Sequence, residues 1–272
     1  KNAFRCTLIE SITIPPHVTD ICDYAFSSCK NLREVIFSDN SELKIIESDA
    51  FSCTLIESIT IPPHVTTIQS NAFYNCRNLQ EVIFSENSEL ASIGEGAFQY
   101  TSIKTIKIST NFDGSILTNL FKDIKDIGGI IVPSNDKRMK WENNLLIRKI
   151  ESETDNYDEL IFSKESIESA TIPSNIKTIG PYCFYQRKQL QNIEFLNESI
   201  LINICKNSFS YSSIKSIAIP SSVECIDESA FEHCEDLVNV EFSENSKLHT
   251  IGKRAFSYTS IISIKIPPGV GC

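Results

Sequence analysis

Ten cysteines carry most of the chemical potential of this 272-residue chain, since cysteines form disulfides, ligate metals or act as nucleophiles. Their spacing argues against a zinc site, because no C-x-x-C pair occurs anywhere in the chain. Cys29, Cys76 and Cys234 instead each lie three residues after a phenylalanine. We therefore expect free thiols that are buried as small hydrophobic side chains, with an occasional disulfide or a metal site as the alternatives.

Other signatures of chemistry are missing from the sequence. It contains no G-x-S-x-G nucleophile motif and no G-x-x-x-x-G-K or G-x-G-x-x-G phosphate loop. The formal net charge of −10 disfavours a nucleic-acid partner or an anionic membrane surface, and no apolar run is long enough to insert into a membrane. The sequence therefore predicts a protein that is not an enzyme, with no catalytic residue, metal ion or cofactor.

Repeats must position whatever functional residues exist. Residues 6–19 recur unchanged as residues 53–66, which is 47 positions later. Within that period, Ala-Phe pairs such as Ala25-Phe26, and variants such as Leu120-Phe121, recur with steps that mostly alternate between 22 and 25 residues. Two unequal repeats therefore make up each period.

Each repeat also contains the motif apolar-x-x-apolar-x-apolar, which occurs eleven times. Ile12 and Ile14 are two apart in this motif, so they share the buried side of a strand while Thr13 between them faces outward. A further motif, such as Val18-x-x-Ile21, precedes most Ala-Phe pairs and would form the opposite wall. One repeat cannot bury its apolar side alone, so neighbouring repeats must stack. The expected fold is a β-rich right-handed solenoid of about eleven rungs, with each phenylalanine of an Ala-Phe pair stacked on the next.

The repeat also decides how the remaining acid–base residues are interpreted. His17 and His64 occupy equivalent turns two rungs apart, about 10 Å at the usual strand spacing, so they cannot share one metal ion. Glu34 and Glu81 are equivalent at the same separation. That spacing favours a solvated stripe over a pair of glycoside-cleaving acids.

The motif L/I-x-x-I-x-I-P followed by V-x-x-I-x-x-x-A-F-x-x-C is complete in residues 56–76. It resembles the BspA-like, or Treponema-type, leucine-rich repeats, and the resemblance covers the chain outside residues 134–166. The resemblance implies a leucine-rich-repeat solenoid with a parallel sheet on its concave side. It also implies a surface or secreted protein of bacteria or parasitic protists that is linked to adhesion and protein binding, while a cytoplasmic location stays open.

The repeat is interrupted in the middle of the chain. The strand centres Ile130 and Ala170 are 40 residues apart, where neighbours elsewhere are 23 or 24 apart. We therefore predict one continuous solenoid domain, in which an N-terminal array of residues 1–133 and a C-terminal array of residues 167–272 flank an insert of residues 134–166.

The insert itself has two apolar runs, Leu145 to Ile147 and Leu160 to Phe162, on either side of a polar stretch. This pattern predicts an irregular coil that carries a β-hairpin, with its turn near Thr154-Asp155-Asn156. The insert is interpreted either as a decayed repeat or as a loop that is displayed for binding and carries Trp141, the only tryptophan.

The outward mid-strand residues of the first array are the candidate binding residues: Thr13, Ile36, Thr60, Ile83 and Lys107. Outward isoleucines have no folding role that we can identify, so an apolar stripe of this kind is a candidate protein-contact surface. The alternative is that they reflect β-propensity alone or are covered by another coil of the same protein.

One site of modification is also predicted. Asn197-Glu198-Ser199 is the only N-x-S/T sequence, so Asn197 is a candidate glycosylation site if the chain passes through a secretory pathway.

These observations predict a non-catalytic protein-binding or adhesion module at the cell surface or secreted. It would recognise a protein or extracellular-matrix partner through the concave face. The alternatives are an intracellular protein-interaction scaffold and a self-assembling structural repeat, since the first and last coils lack a visible polar cap and could self-associate.

Overall fold

The computed structural model describes residues 1–110, 112–124, 127, 129–150 and 156–271. The chain divides into two compact units, which we call unit 1 (Lys1–Lys137) and unit 2 (Arg138–Cys272). The repeats form a parallel β-solenoid of about 10 turns, close to the eleven rungs predicted. The array boundaries at residues 134 and 167, and the single continuous domain, stay predictions.

Unit 1 has long strands on one side and two-residue strands on the other. The long strands are β1 Ser11–Ile14, β3 Glu34–Phe37, β5 Ser58–Ile61, β7 Glu81–Phe84, β9 Thr105–Lys107 and β10 Gly129–Ile131. The short strands are β2 Asp20–Ile21, β4 Ile45–Ile46, β6 Thr67–Ile68 and β8 Ser92–Ile93. Strand β1 pairs with β3, strands β5, β7, β9 and β10 form a four-stranded sheet, and the short strands form another sheet. All of these pairs are parallel.

The register of the long strands follows the apolar motif. Ile59 lies opposite Val82, which lies opposite Ile106, and all three are at most 1% exposed. Thr60 lies opposite Ile83 on the outer side of the same strands. This alternation confirms the predicted period-two pattern, because side chains of successive strand residues point to opposite faces.

The phenylalanines of the Ala-Phe turns form a stacked column in each unit, as predicted. In unit 1 the ring centroids of neighbours lie 5.1–5.4 Å apart, and in unit 2 they lie 4.9–5.1 Å apart, with the planes within 10° of parallel. The members are Phe4, Phe26, Phe51, Phe73 and Phe98 in unit 1, and Phe184, Phe209, Phe231 and Phe256 in unit 2. Each coil thus contributes one ring to a continuous apolar column.

One predicted turn is a helix instead. Leu120-Phe121 lies in α1, Leu117–Asp123, which directly follows a 3-10 helix at Gly114–Ile116. The side chain of Asp113 accepts a hydrogen bond from the backbone N–H of Ser115, which favours helical backbone at that point. Leu120 remains fully buried, so this coil fills the core with a different local structure. Within the described residues, no helix combines the length and apolarity needed to cross a bilayer.

Unit 2 repeats the same two-sided arrangement. Its long strands are β14 Ser169–Ile172, β16 Asn192–Phe195, β18 Ser216–Ile219 and β20 Asn239–Phe242, which form one parallel sheet. Its short strands are β15 Thr178–Ile179, β17 Asn203–Ile204, β19 Cys225–Ile226 and β21 Thr250–Ile251. The eleventh predicted rung, at Ile261 to Ile266, forms no strand, and Ile262 is 95% exposed. A coil of a solenoid normally packs between two neighbours. Within the described residues this segment has a neighbouring coil on one side, so part of its apolar motif stays exposed.

Unit 2 begins with an antiparallel meander of β11 Met139–Glu142, β12 Leu145–Arg148 and β13 Glu159–Ser163. The strands around the predicted hairpin turn are β12 and β13, while the turn residues Thr154 and Asp155 lie outside the described part of the chain. A second turn at Asn143 and Asn144, with φ of 47° and 67°, joins β11 to β12. Asparagine tolerates the left-handed region, which a two-residue hairpin turn requires. Strand β13 then pairs in parallel with β15 and connects the meander to the solenoid.

Candidate binding surface

The outward mid-strand residues of five long strands of unit 1 are Thr13, Ile36, Thr60, Ile83 and Lys107, which we call the outer row. Thr13 and Ile36 lie on one sheet, and Thr60, Ile83 and Lys107 lie on the next. Thr13 lies opposite Ile36, and Ile83 lies opposite Lys107. Ile36 is 44% exposed, although it belongs to a strand whose inward neighbour Val35 is buried. The structure thus places all five predicted residues on the outer side, and it leaves a large apolar side chain in contact with solvent.

Lys107 is the one charged residue of the outer row, and it lies opposite Ile83. Its Nζ lies 2.8 Å from Oε1 of Glu81, which belongs to the neighbouring strand β7. Both side chains are substantially exposed, so this ion pair contributes at most a modest amount to stability. The pair nevertheless holds the lysine stem along the sheet beside Ile83, so the apolar part of the row has a polar border.

A groove lies at the edge of the outer row, and the two repeat lengths create it. The step from Phe37 to Ile46 is nine residues, whereas the step from Ile61 to Ile68 is seven, so the loop after β5 is two residues shorter than the loop after β3. The coil of β7 has the longer loop again, since Phe84 precedes Ile93 by nine residues. A short loop therefore lies between two longer ones.

We call this depression the Pro62 groove. It has a volume of about 520 Å³, and its lining includes Ile36, Asp39, Thr60, Pro62, Pro63 and Glu86. Ile36 and Thr60 belong to the outer row as well, so the groove and the row are continuous. The volume is within the range of known ligand pockets, roughly 300–1,000 Å³.

Unit 2 has the same alternation of loops and a smaller groove. Seven residues separate Ile219 from Ile226, while nine separate Phe195 from Ile204. The groove over this shorter loop has a volume of about 340 Å³ and is lined by residues that include Leu196, Glu198, Ala218, Ile219 and Pro220. The outward strand residues beside it are Thr171, Glu194, Ala218 and Glu241. In these positions unit 2 therefore presents acidic and small side chains where unit 1 presents isoleucine.

Trp141, the second predicted binding residue, lies on strand β11 and not on a loop. Its ring makes an edge-to-face contact with Phe162, with centroids 6.2 Å apart, and Nζ of Lys164 lies 5.4 Å from its ring centroid. Trp141 is only partly exposed. Its ring thus packs on the meander of unit 2, whereas the outer row belongs to unit 1.

Three cysteines, Cys29, Cys76 and Cys234, lie beside the phenylalanines, and each contacts a threonine or serine of the preceding coil. All nine cysteines in the described residues are free thiols. Sγ of Cys76 and of Cys234 each donates a hydrogen bond of 3.1 Å to the phenylalanine carbonyl of the preceding coil, from Phe51 and Phe209 respectively. Burial raises the pKa of both thiols to about 11. These buried, protonated thiols fit the expected role as core side chains, whereas Cys6 is exposed.

Sequence reasoning missed Arg187, which lies three residues after Phe184, where other coils have a cysteine. It is 4% exposed, and its guanidinium donates hydrogen bonds to the carbonyl oxygen of Ser163 at 2.8 and 3.0 Å, and to that of Tyr185 at 2.9 Å. Its Cζ also lies 4.8 Å from the ring centroid of Phe162. Arg187 therefore joins its coil to β13. Cysteines at the same position of other coils instead donate to a phenylalanine carbonyl of the preceding coil. The sequence did contain a signal of this role, because Arg187 stands where the motif A-F-x-x-C has cysteine.

His17 and His64 lie in exposed turns and each pairs with a glutamate. Nδ1 of His17 lies 3.1 Å from Oε1 of Glu42, and His64 and Glu89 repeat this contact at 3.1 Å. In the part of the chain that the structure describes, no group of three or more histidine, cysteine, aspartate or glutamate side chains could hold a metal ion. These pairs are therefore surface contacts between the Pro-Pro-His turn of one coil and the longer loop of the next.

Asn197, the candidate glycosylation site, is exposed in the turn that follows β16. Glu198 in the same turn has φ of 62°. The turn belongs to the loop between β16 and β17. Leu196 and Glu198, on either side of Asn197, both line the unit 2 groove. The asparagine is therefore accessible, and it lies beside that groove.

Parallel strands in stacked coils, with a column of stacked phenylalanines inside each unit, define a leucine-rich-repeat solenoid. The sequence model described as the BspA type leucine rich repeat region matches residues 1–128 and 156–271, in six copies. The chain belongs to this family.

Solved structures agree with this assignment at the level of the fold. The structure of the pneumococcal vaccine antigen PcpA is similar with a TM-score of 0.66 and 21% identity, covering 96% of this chain and 73% of that one. A leucine-rich repeat protein from Eubacterium ventriosum ATCC 27560 is similar with a TM-score of 0.59 and 20% identity, covering 96% of this chain and 80% of that one. No curated protein matches the sequence.

Proposed function

We propose that this chain is a non-catalytic protein-binding module of a BspA-like surface protein, and that it contacts a protein or extracellular-matrix partner through the outer row of unit 1. The observation that carries this proposal is Ile36, which is 44% exposed at a strand position whose inward neighbours already form the core. Burial of such a side chain by a partner would release water from apolar surface and favour association.

The form of the outer row supports contact with a macromolecule. Thr13 lies opposite Ile36, Thr60 lies opposite Ile83, and Ile36 and Thr60 both line the Pro62 groove. These four residues therefore form a strip over four coils that includes the edge of the groove. A flat strip of this kind offers many individually weak contacts, and a protein partner can sum them over a large area. Lys107 and Glu81 at the end of the strip would provide the polar rim that protein interfaces usually have.

The surface location in this proposal is supported by the family and by the pneumococcal relative. That relative is named as a vaccine antigen, which fits a protein that is accessible outside the cell. A solenoid exposed in this way has its long-strand side free for contact along its length.

The test is solid-phase binding of the chain to a panel of purified extracellular-matrix proteins. At least one of them should bind the unchanged chain, and the double substitution Ile36→Asp plus Ile83→Asp should weaken that binding about tenfold or more, because it places desolvated charge in the strip. Circular dichroism would verify that the variant is folded.

The matched control is Thr171→Asp plus Ala218→Asp, which adds the same two charges at outward mid-strand positions of unit 2. This control should bind like the unchanged chain. If no matrix protein binds, or if the unit 1 variant binds as well as the control, the proposal is wrong.

An intracellular scaffold is the second candidate, and the nine free thiols in the described residues favour it. Cytosolic proteins keep cysteines reduced, whereas secreted ones often pair them. Intact-mass measurement of protein from its native source, with and without thiol labelling, separates the two candidates. A glycan on Asn197 would contradict the intracellular location, and a chain that is unmodified and found only in the cytosol would support it.

A further inference from the structure

The Pro62 groove has an apolar floor that offers little to a polar ligand. Pro62 and Pro63 have no backbone N–H to donate. Their carbonyl oxygens already accept hydrogen bonds, from the N–H of Val65 at 3.2 Å and of Glu89 at 2.8 Å. With the exposed side chain of Ile36 beside them, these residues present carbon atoms to the groove. The floor is therefore suited to an apolar side chain.

The rim of the groove, in contrast, is acidic on both sides. Asp39 and Glu86 are the charged residues in its described lining, and both are exposed. Oε2 of Glu86 accepts a hydrogen bond of 3.2 Å from Thr110, and Asp39 makes no ion pair or side-chain hydrogen bond with any residue that the structure describes. No basic residue within the described ranges lines the groove. The two carboxylates thus have no cationic partner within it.

We propose that the Pro62 groove binds an extended segment of a protein partner in which an apolar side chain lies between two basic ones. The proposal rests on the proposed function and names the chemistry of the partner at one end of the outer row. The apolar side chain contacts Ile36, Pro62 and Pro63, and the basic side chains reach Asp39 and Glu86. Guanidinium groups suit this role, because they pair with carboxylates through two parallel hydrogen bonds.

The spacing of the two carboxylates sets the spacing of the basic residues. Asp39 and Glu86 follow strands β3 and β7, which are two coils apart, so their loops are separated by about 10 Å. In an extended chain of the polyproline-II type, which has three residues per turn and a rise of about 3.1 Å per residue, residues three positions apart lie on the same side and span about the same distance. The recognised segment is therefore Arg-apolar-x-Arg or its lysine equivalent.

The direct test uses fluorescent hexapeptides and measures fluorescence polarisation with the full chain. The probe Gly-Arg-Ile-Gly-Arg-Gly should bind more tightly than Gly-Glu-Ile-Gly-Glu-Gly and more tightly than Gly-Arg-Gly-Gly-Arg-Gly, which lacks the apolar side chain. Binding of the first probe should weaken when the salt concentration rises from about 0.05 M to about 0.5 M, since exposed charges are then screened.

The decisive variant is Asp39→Asn plus Glu86→Gln, which removes both charges and preserves the shape of exposed side chains. It should raise the dissociation constant of the basic probe about tenfold or more. The matched control is Glu165→Gln plus Glu168→Gln, two exposed acidic residues of unit 2 outside either groove, which changes the net charge equally. If the control weakens binding as much as the groove variant, attraction by the overall negative charge explains it and the proposal is wrong.

A third variant separates this proposal from the proposed function. Ile83 belongs to the outer row but does not line the groove, so Ile83→Asp should leave binding of the basic probe within about twofold while it weakens binding of the matrix protein. Equal binding of all three probes overturns the groove proposal alone. Loss of matrix binding in Ile83→Asp would then still support the outer row as the contact surface.

Discussion

Units 1 and 2 have nearly the same interior and a different outer side. Inward strand positions hold Ile59, Val82 and Ile106 in unit 1, and Ala170, Ile172 and Ile217 in unit 2, all buried. The outward positions between them differ in character, as the contrast between Ile36 and Ile83 in unit 1 and Glu194 and Glu241 in unit 2 shows.

This difference shows which positions the fold constrains. A side chain that faces inward must fit the coil on either side, and close packing allows little variation there. A side chain that faces outward contacts its strand neighbours and solvent, so its chemistry can change without repacking the core. The outer row is therefore the part of the molecule where coils of one design can acquire different partners.

The largest expected change in the free energy of unfolding comes from substitutions in the phenylalanine columns, which test whether the interiors of the two units are equally well packed. Phe51 and Phe209 are fully buried and each stacks between two other rings, so Phe51→Ala and Phe209→Ala should each lower the free energy of unfolding by about 3–5 kcal/mol. Urea denaturation followed by circular dichroism measures both. The outward substitution Ile36→Ala is the control and should change it by about 0.5 kcal/mol or less. A much smaller effect in one unit would mean that its column is loosely packed.

A smaller effect concerns Cys76 and Cys234, two buried thiols at equivalent positions of the two units. Burial raises the pKa of Cys76 and Cys234 from 9.0 to about 11, so the folded chain keeps two protons that the unfolded chain releases above pH 9. This contribution is complete below pH 9 and is lost as the pH rises from 9 to 11, on the order of 2 kcal/mol for each thiol. Urea denaturation at several pH values measures the slope.

Serine does not ionise in this range, so Cys76→Ser plus Cys234→Ser should remove the part of the decline in stability between pH 9 and 11 that these two thiols cause. The remainder comes from thiols such as Cys183 and Cys205, whose pKa burial also raises. Replacement of the exposed Cys6 by serine should leave the decline unchanged. The same decline in the double variant as in the unchanged chain would show that other groups cause it.

The smallest effect on stability comes from copying one outer side onto the other. Glu194→Ile plus Glu241→Ile gives unit 2 isoleucines at the positions that correspond to Ile36 and Ile83, and the free energy of unfolding should change by about 0.5 kcal/mol or less. In a chain that also carries Ile36→Asp and Ile83→Asp, the copied row should restore part of the lost matrix binding. If this variant is as stable as the unchanged chain but recovers no binding, recognition requires residues of unit 1 other than the outer row.

The sequence was sufficient for the solenoid and for the outward position of the five candidate residues. The reason is that the apolar motif has a period of two within a strand and repeats in every coil, so each rung confirms its neighbours. The Phe column was predicted on the same grounds, since a residue that recurs at one position of each coil must meet its copies. Whether the outer row binds a partner stays a prediction.

What the sequence did not reveal depends on contacts between dissimilar segments. The helix that holds Leu120 replaces a turn and follows a 3-10 helix that Asp113 caps, and the turn at Asn143 and Asn144 adds a strand to the meander. Arg187 is buried because its neighbour is β13 instead of another coil. The Pro62 groove lies over a loop that is two residues shorter than the loops of the neighbouring coils. In the sequence alone this difference only makes the repeat length irregular, and the groove becomes visible when the coils are stacked.

Alternation of short and long loops makes a pair of coils, about 47 residues, the natural module for duplication in this chain. Copying a pair would add one more groove about 10 Å further along without disturbing those already present, since each coil touches only its neighbours. Gain or loss of such pairs would then change valency and avidity in discrete increments, with no alteration of any existing contact residue.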